Sequence, residues 1–121
     1  MQRMPLWRDA NQLLLLVEQA VRNFPRYHKY ALGLELRQQS MKICRLIVRA
    51  YNDKAQRVRY VCQLNEAVDD LKIQVQLGKE LAAFRHFKEF ETIAALVVAV
   101  GKQSGAWKRR LQESPASTGA N

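Results

Sequence analysis

Apolar residues recur at steps of three and four along most of the chain, the pattern of successive amphipathic helices. Leu13, Leu16, Val17, Ala20 and Phe24 make the first series and predict a helix from about Leu6 or Asp9 to Asn23, with Asp9 at its positive dipole end. Phe24-Pro25 stops that helix, because proline lacks the N–H a continuing helix needs, yet proline suits the first turn of a new one. A second helix is therefore predicted from Pro25 to Tyr51. Tyr27, Tyr30, Leu34, Met41, Cys44, Val48 and Tyr51 form a seam along it at heptad spacing, and Leu32, Leu36, Ile43, Ile47 and Ala50 widen that seam. Such a width suits a helix with neighbours on several sides, in a bundle or at a subunit interface.

Asn52-Asp53 supplies a tight connection and a cap. A third helix is predicted from about Lys54 to Phe84 on the repeat Val61, Leu64, Val68, Leu71, Val75, Gly78 and Ala82, where Gly78 would allow a close helix approach. The fourth begins near His86 and carries Phe90, Ile93, Val97, Val100, Ser104, Trp107 and Leu111. Each of these long helices would extend about 40 Å at roughly 1.5 Å per residue. Short connections force antiparallel neighbours, so the predicted fold is all-α: an up-down-up-down antiparallel four-helix bundle with a shorter first helix. From Ser114 the residues turn to Ser-Pro-Ala-Ser-Thr-Gly-Ala-Asn without apolar periodicity. The organisation expected is thus a bundle over residues 1–113 and a disordered tail over residues 114–121.

Composition agrees with this reading. The chain has 121 residues, 48% of them apolar, enough for one domain with a core, and only three prolines and five glycines interrupt it. The apolar runs Leu13–Val17 and Ile93–Val100 fall short of the roughly 20 residues that span a bilayer, so no membrane partner is expected. Met1–Trp7 has no apolar core of a secretory signal, and cytoplasmic residence is expected.

Catalytic chemistry is poorly represented. His28 and His86 lie far apart in sequence, and the adjacent carboxylates Asp69 and Asp70 point about 100° apart on a helix, which suits a solvated face near Lys72 rather than a dyad. No enzyme activity and no cofactor are expected. Cys44 and Cys62 have neither CxxC spacing nor clustered histidines, so no metal is expected. They lie almost symmetrically about Asp53, which leaves a redox pair across a helical hairpin conceivable, but the ordinary reading is of cysteines acting as small apolar side chains.

The charge is less evenly spread. Arg22, Arg26, Lys29, Arg37, Lys42, Arg45, Arg49, Lys54, Arg57 and Arg59 share the segment from Arg22 to Arg59 with only Glu35 and Asp53, a formal +8 out of the chain's +9. A localised field of one sign points to a polyanionic partner, RNA or DNA. Lys42, Arg45 and Arg49 recur on one helical face, with Gln38 one step before and no acid placed to pair with them along that helix. Such like-charge spacing costs a few tenths of a kcal/mol per pair, and phosphates would offset it while making affinity salt dependent. The competing reading is a solvated face neutralised by Glu66, Asp69, Glu80, Glu89 and Glu91 on the third and fourth helices. Tyr27, Tyr30, Tyr51 and Tyr60 interleave with the basic residues; bases stack on such rings, although core packing is their commoner use. Lys108-Arg109-Arg110 after Trp107 is sufficiently explained by the C-terminal dipole, with a secondary nucleic-acid or protein contact as the alternative.

The stretch Phe24-Pro25-Arg26-Tyr27-His28-Lys29-Tyr30-Ala31-Leu32-Gly33, followed by a long basic and apolar helix, resembles the small bacterial four-helix proteins that include the accessory variability determinant (Avd) of diversity-generating retroelements. Gly101-Lys102-Gln103-Ser104-Gly105-Ala106-Trp107 resembles them too, with Gly-Ala-Trp where the related proteins often have Gly-Gly-Trp. The likeness spans about residues 5 to 112. It implies a bundle that assembles as a homopentameric barrel, binds the retroelement's reverse transcriptase and nucleic acid through a basic surface, and supports mutagenic copying of template RNA without being the polymerase. On that resemblance Arg26 and the basic residues of the second helix are the binding surface, and Phe24, Pro25, Leu32, Gly33 and Trp107 are fold determinants. The protein encoded in intervening sequences of bacterial 23S ribosomal RNA genes shares the fold. A scaffold of that type, docking an acidic protein partner, is the alternative.

Overall fold

A computed structural model describes residues 4–113, and the tail expected over residues 114–121 lies outside the described residues. Five helices follow one another: α1 (Pro5–Arg22), α2 (Arg26–Lys29), α3 (Leu32–Asn52), α4 (Arg57–Glu80) and α5 (Phe87–Glu113). The four long ones form the expected bundle. Each of α1, α3, α4 and α5 packs against two others in the cyclic order α1, α3, α4, α5, and α2 rests on α3. Their antiparallel course is visible in the cross-helix bonds. Gln103 near the end of α5 donates to Asp9 near the start of α1 (2.8 Å), and Gln39 of α3 donates to the Ala67 carbonyl of α4 (2.9 Å).

The core is what the three-four periodicity demands. Leu13 and Val17 of α1, Leu36, Ile43 and Ile47 of α3, Leu64, Val68 and Leu71 of α4, and Ile93, Val97 and Val100 of α5 are fully buried. At about 1.5–3 kcal/mol for each such side chain removed from water, this burial drives folding. Ser104, on the same repeat, is buried because it has polar partners. Asn65 Nδ2 donates to its carbonyl (3.1 Å) and to that of Val61 (2.9 Å), tying α4 to α5.

Three expectations are corrected. The helix predicted from Pro25 to Tyr51 is broken: α2 ends after one turn, and Ala31 takes a non-helical backbone (φ −115°, ψ −93°) before α3 begins. No proline or glycine marks that break, which tertiary packing imposes. A Cβ on Gly33 would lie 2.7 Å from Val21 Cγ1 and 3.3 Å from the His28 carbonyl, so the start of α3 is pressed onto α1 and α2 in a way only glycine permits.

The predicted seam of α3 is mostly not the core. Tyr27, Tyr30, Leu34, Met41 and Tyr51 are exposed, while the residues thought to widen the seam, Leu32, Leu36, Ile43, Ile47 and Ala50, are buried with Cys44. A strict seven-residue repeat drifts around a straight helix, and only part of it faces a given neighbour.

The third predicted helix is shorter than expected at both ends. Asp53 Oδ1 accepts the Gln56 N–H (3.1 Å), which fixes the turn that delays α4 to Arg57. At the other end Ala82 has a left-handed backbone (φ 54°), with the Ala82 N–H donating to the Lys79 carbonyl and the Ala83 N–H to the Gly78 carbonyl. This is the Schellman arrangement, usually built on glycine. It folds Phe84 back onto Gly78, whose absent Cβ would stand 2.8 Å from Phe84 Cε2, and into edge contact with Phe24 at 5.2 Å. The close approach expected of Gly78 is thus mainly to the connection after α4, with Leu32 of α3 at 3.5 Å.

Candidate nucleic-acid interface

Helix α3 turns its apolar side to the bundle and leaves Gln38, Lys42, Arg45 and Arg49 exposed on the opposite side. The steps of three and four between the cations place them on one face. Among the described residues, the ion pairs are Arg8 with Asp9, Arg37 with Glu18, and Lys79 with Glu80, and none includes Lys42, Arg45 or Arg49. Of the acids that might have neutralised this face, Glu80 bonds with Lys79 and Gln76, and Glu89 accepts the His86 N–H at the start of α5. Glu66, Asp69 and Glu91 are exposed and make no pair with the stripe.

The other basic residues are divided between the two ends of the bundle. Arg22, Arg26 and Lys29 gather where α1 ends and α2 begins, together with Arg85, whose guanidinium approaches Asn23 Oδ1 (3.4 Å). Sequence reasoning did not include Arg85 in this cluster, because it joins only when the connection between α4 and α5 folds beside the end of α1. Lys54, Arg57 and Arg59 lie at the opposite end. Arg37 is held by Glu18 across the α1–α3 junction at 2.8 Å.

Arg57 is already occupied. Its Nε donates to the Ala50 carbonyl (2.8 Å) and its Nη2 to the Tyr51 carbonyl (2.9 Å), so its guanidinium caps the C-terminal turn of α3. Arg59 lies over the Tyr60 ring at 5.1 Å, and Lys29 over Tyr30 at 5.9 Å.

The cysteines do not pair. Cys44 faces α1, where its thiol donates to the Ala10 carbonyl at 3.7 Å, and both cysteines are free. Burial raises the Cys44 pKa above its ordinary value, with the adjacent Arg45 opposing that in part. Asp69 and Asp70 are exposed, and among the described residues no group of three or more His, Cys, Asp or Glu is placed to hold a metal. No helix among them is long and apolar enough to cross a membrane.

A family model described as bAvd-like matches residues 6–111, nearly the whole bundle. The chain belongs to the bAvd-like family. Membership supports a general accessory role in diversity-generating retroelements, and the bAvd-like proteins are non-catalytic scaffolds, so this bAvd-like chain is not an enzyme. No curated protein matches the chain. The resemblance drawn from Phe24-Pro25-Arg26 and from Gly101–Trp107 therefore led to the right family.

Proposed function

We propose that this bAvd-like protein is the nucleic-acid-binding partner of a retroelement reverse transcriptase, and that it supports mutagenic copying of template RNA in the cytoplasm without catalysing it. The observation that carries this reading is the outer face of α3, where Lys42, Arg45 and Arg49 are exposed and unpaired. Glu35 stands at the start of the same face, but it forms no ion pair with the three cations, whose charge stays uncompensated until phosphates reach them, and each such contact releases counterions. Arg22, Arg26, Lys29, Arg37, Lys54 and Arg59 extend the positive field to both ends of the helix. Arg57 contributes charge there while serving as a cap.

Assembly would amplify the field. In a homopentamer, the state the family resemblance implies, the stripe is repeated around an axis and becomes a continuous basic ring. The half-exposed apolar flank of Met41 and Val48 beside it is consistent with a helix that meets another subunit.

The test is co-expression with a diversity-generating-retroelement reverse transcriptase, followed by purification and assay of retained nucleic acid. The wild-type chain should retain both the enzyme and nucleic acid. Lys42→Glu, Arg45→Glu and Arg49→Glu together should abolish nucleic-acid binding while helicity and oligomer size persist. Undiminished binding by the triple variant would remove α3 from the interface.

A further inference from the structure

The end of the bundle that carries α2 differs from the rest of the surface. The three most exposed large apolar side chains of the described residues are Tyr27 (86%), Tyr30 (71%) and Phe87 (61%), all aromatic and all at this end. Tyr27 makes an edge contact with His28 (5.1 Å) and Phe87 packs against Phe90 (5.4 Å), whereas Tyr30 meets no other ring among the described residues and has only Lys29 over it, at 5.9 Å. One of them also lines a groove. Val21 and Arg22 of α1, Lys29 and Tyr30 at the end of α2, and Leu34 and Arg37 of α3 enclose about 450 Å³, a size within the usual range for small-ligand sites.

The local chain path explains the groove. The break at Ala31 stops α2 after one turn, and the missing Cβ of Gly33 lets the first turn of α3 sit against Val21 and Phe24. Tyr30 is thereby left at the rim of a cleft between α1 and α3 instead of continuing a helical seam. Glu18 lines the cleft too, but its carboxylate is engaged by Arg37 at 2.8 Å. Arg22 and Lys29 have no acid partner among the described residues. A ring, an apolar wall of Val21 and Leu34, and two cations without acid partners, of which Lys29 already lies near the Tyr30 ring, match a base next to its phosphate.

We propose that this groove holds one nucleotide unit of an unpaired strand, with the base stacked on Tyr30 and against Leu34 and the adjoining phosphate between Arg22 and Lys29. The proposal rests on nucleic-acid binding by the α3 face and adds a preference for single strands to it. In a duplex both faces of a base are covered by its neighbours, so a stacking platform selects unpaired segments. The α3 stripe reads only phosphates and serves either form.

The experiment uses the full chain and compares a labelled single-stranded oligonucleotide, the duplex of the same sequence, and a free mononucleotide. Tyr30→Ala should weaken single-strand binding roughly fivefold to a hundredfold, the range of one lost base stack, and should leave duplex binding essentially unchanged. Tyr30→Trp should restore the loss, and the exposure of residue 30 makes both variants compatible with the fold. Replacing Lys42, Arg45 and Arg49 by Gln should instead weaken both forms. Equal affinity of Tyr30→Ala and wild type for the single strand overturns the groove site alone, as does equal weakening of strand and duplex. A mononucleotide that binds as tightly as the strand makes the groove a free-nucleotide site and also overturns it. Failure of the wild type to bind either polymer overturns both this proposal and the nucleic-acid reading beneath it.

Discussion

Arg57 separates charge used for folding from charge available to a partner, and its removal should act on stability. The side chain donates two charge-assisted hydrogen bonds, 2.8 Å to the Ala50 carbonyl and 2.9 Å to the Tyr51 carbonyl. Bonds to charged groups contribute about 1.5–3 kcal/mol where they are shielded. The Tyr51 bond is exposed, so water recovers most of it when the arginine is gone, whereas the Ala50 bond is partly buried. Adding roughly 0.3–1 kcal/mol for a cation at a helix C-terminus, Arg57→Met should cost about 2 kcal/mol. For a bundle of this size that corresponds to a Tm lower by on the order of 10 °C. Arg57→Lys should recover only part of the loss, since an ammonium lacks the planar fork that reaches two carbonyls. Thermal and urea unfolding followed by circular dichroism measure this directly, with nucleic-acid affinity measured on the same samples below the transition. A Tm within about 1 °C of wild type together with an affinity loss of tenfold or more would refute the assignment, because one exposed ion contact is worth only about 0–1 kcal/mol to stability.

Two further outcomes follow from local geometry. Ala82 occupies a left-handed position at φ 54°, so Ala82→Gly should stabilise the protein by about 1 kcal/mol and raise the urea midpoint; no change or a decrease would contradict the strain argument. Cys44 is buried and its thiol pKa is raised, whereas Cys62 is partly exposed. At neutral pH an alkylating reagent should therefore modify Cys62 in the native protein and Cys44 only after unfolding, as mass spectrometry would show. Since the folded pKa of Cys44 lies above its unfolded value, its contribution to stability is complete below the unfolded pKa and is lost as pH rises through the folded one. The alkaline loss of stability should be smaller in Cys44→Ala.

The fold was legible wherever the apolar period ran unbroken. Leu13 to Val17, Val61 to Val75 and Ile93 to Ser104 are buried at the positions their spacing indicates, because on a straight helix burial follows from periodicity alone. The break at Ala31 and the stop at Glu80 were not legible. Neither carries a glycine or proline at the turning residue, and both depend on partners distant in sequence: Gly33 against Val21, and Phe84 against Phe24. The same limit applies to the candidate interface. Phasing alone grouped Lys42, Arg45 and Arg49, but it could not distinguish them from Arg57, whose carbonyl partners lie in the preceding helix, or from Arg37, whose partner Glu18 lies 19 residues upstream. Nor could it bring Arg85 beside the end of α1, since that proximity is a property of the closed bundle.

The salt dependence of nucleic-acid binding tests the central claim most directly. If Lys42, Arg45 and Arg49 each contact a phosphate, log K for a single strand against log salt should flatten by about 2 units in the Lys42→Gln, Arg45→Gln, Arg49→Gln variant, at roughly 0.7 per lost contact. The affinity at low salt should fall with it while the circular dichroism spectrum stays that of the wild type. An unchanged slope and affinity in the folded variant would contradict the account and place the nucleic acid on another face of the bundle.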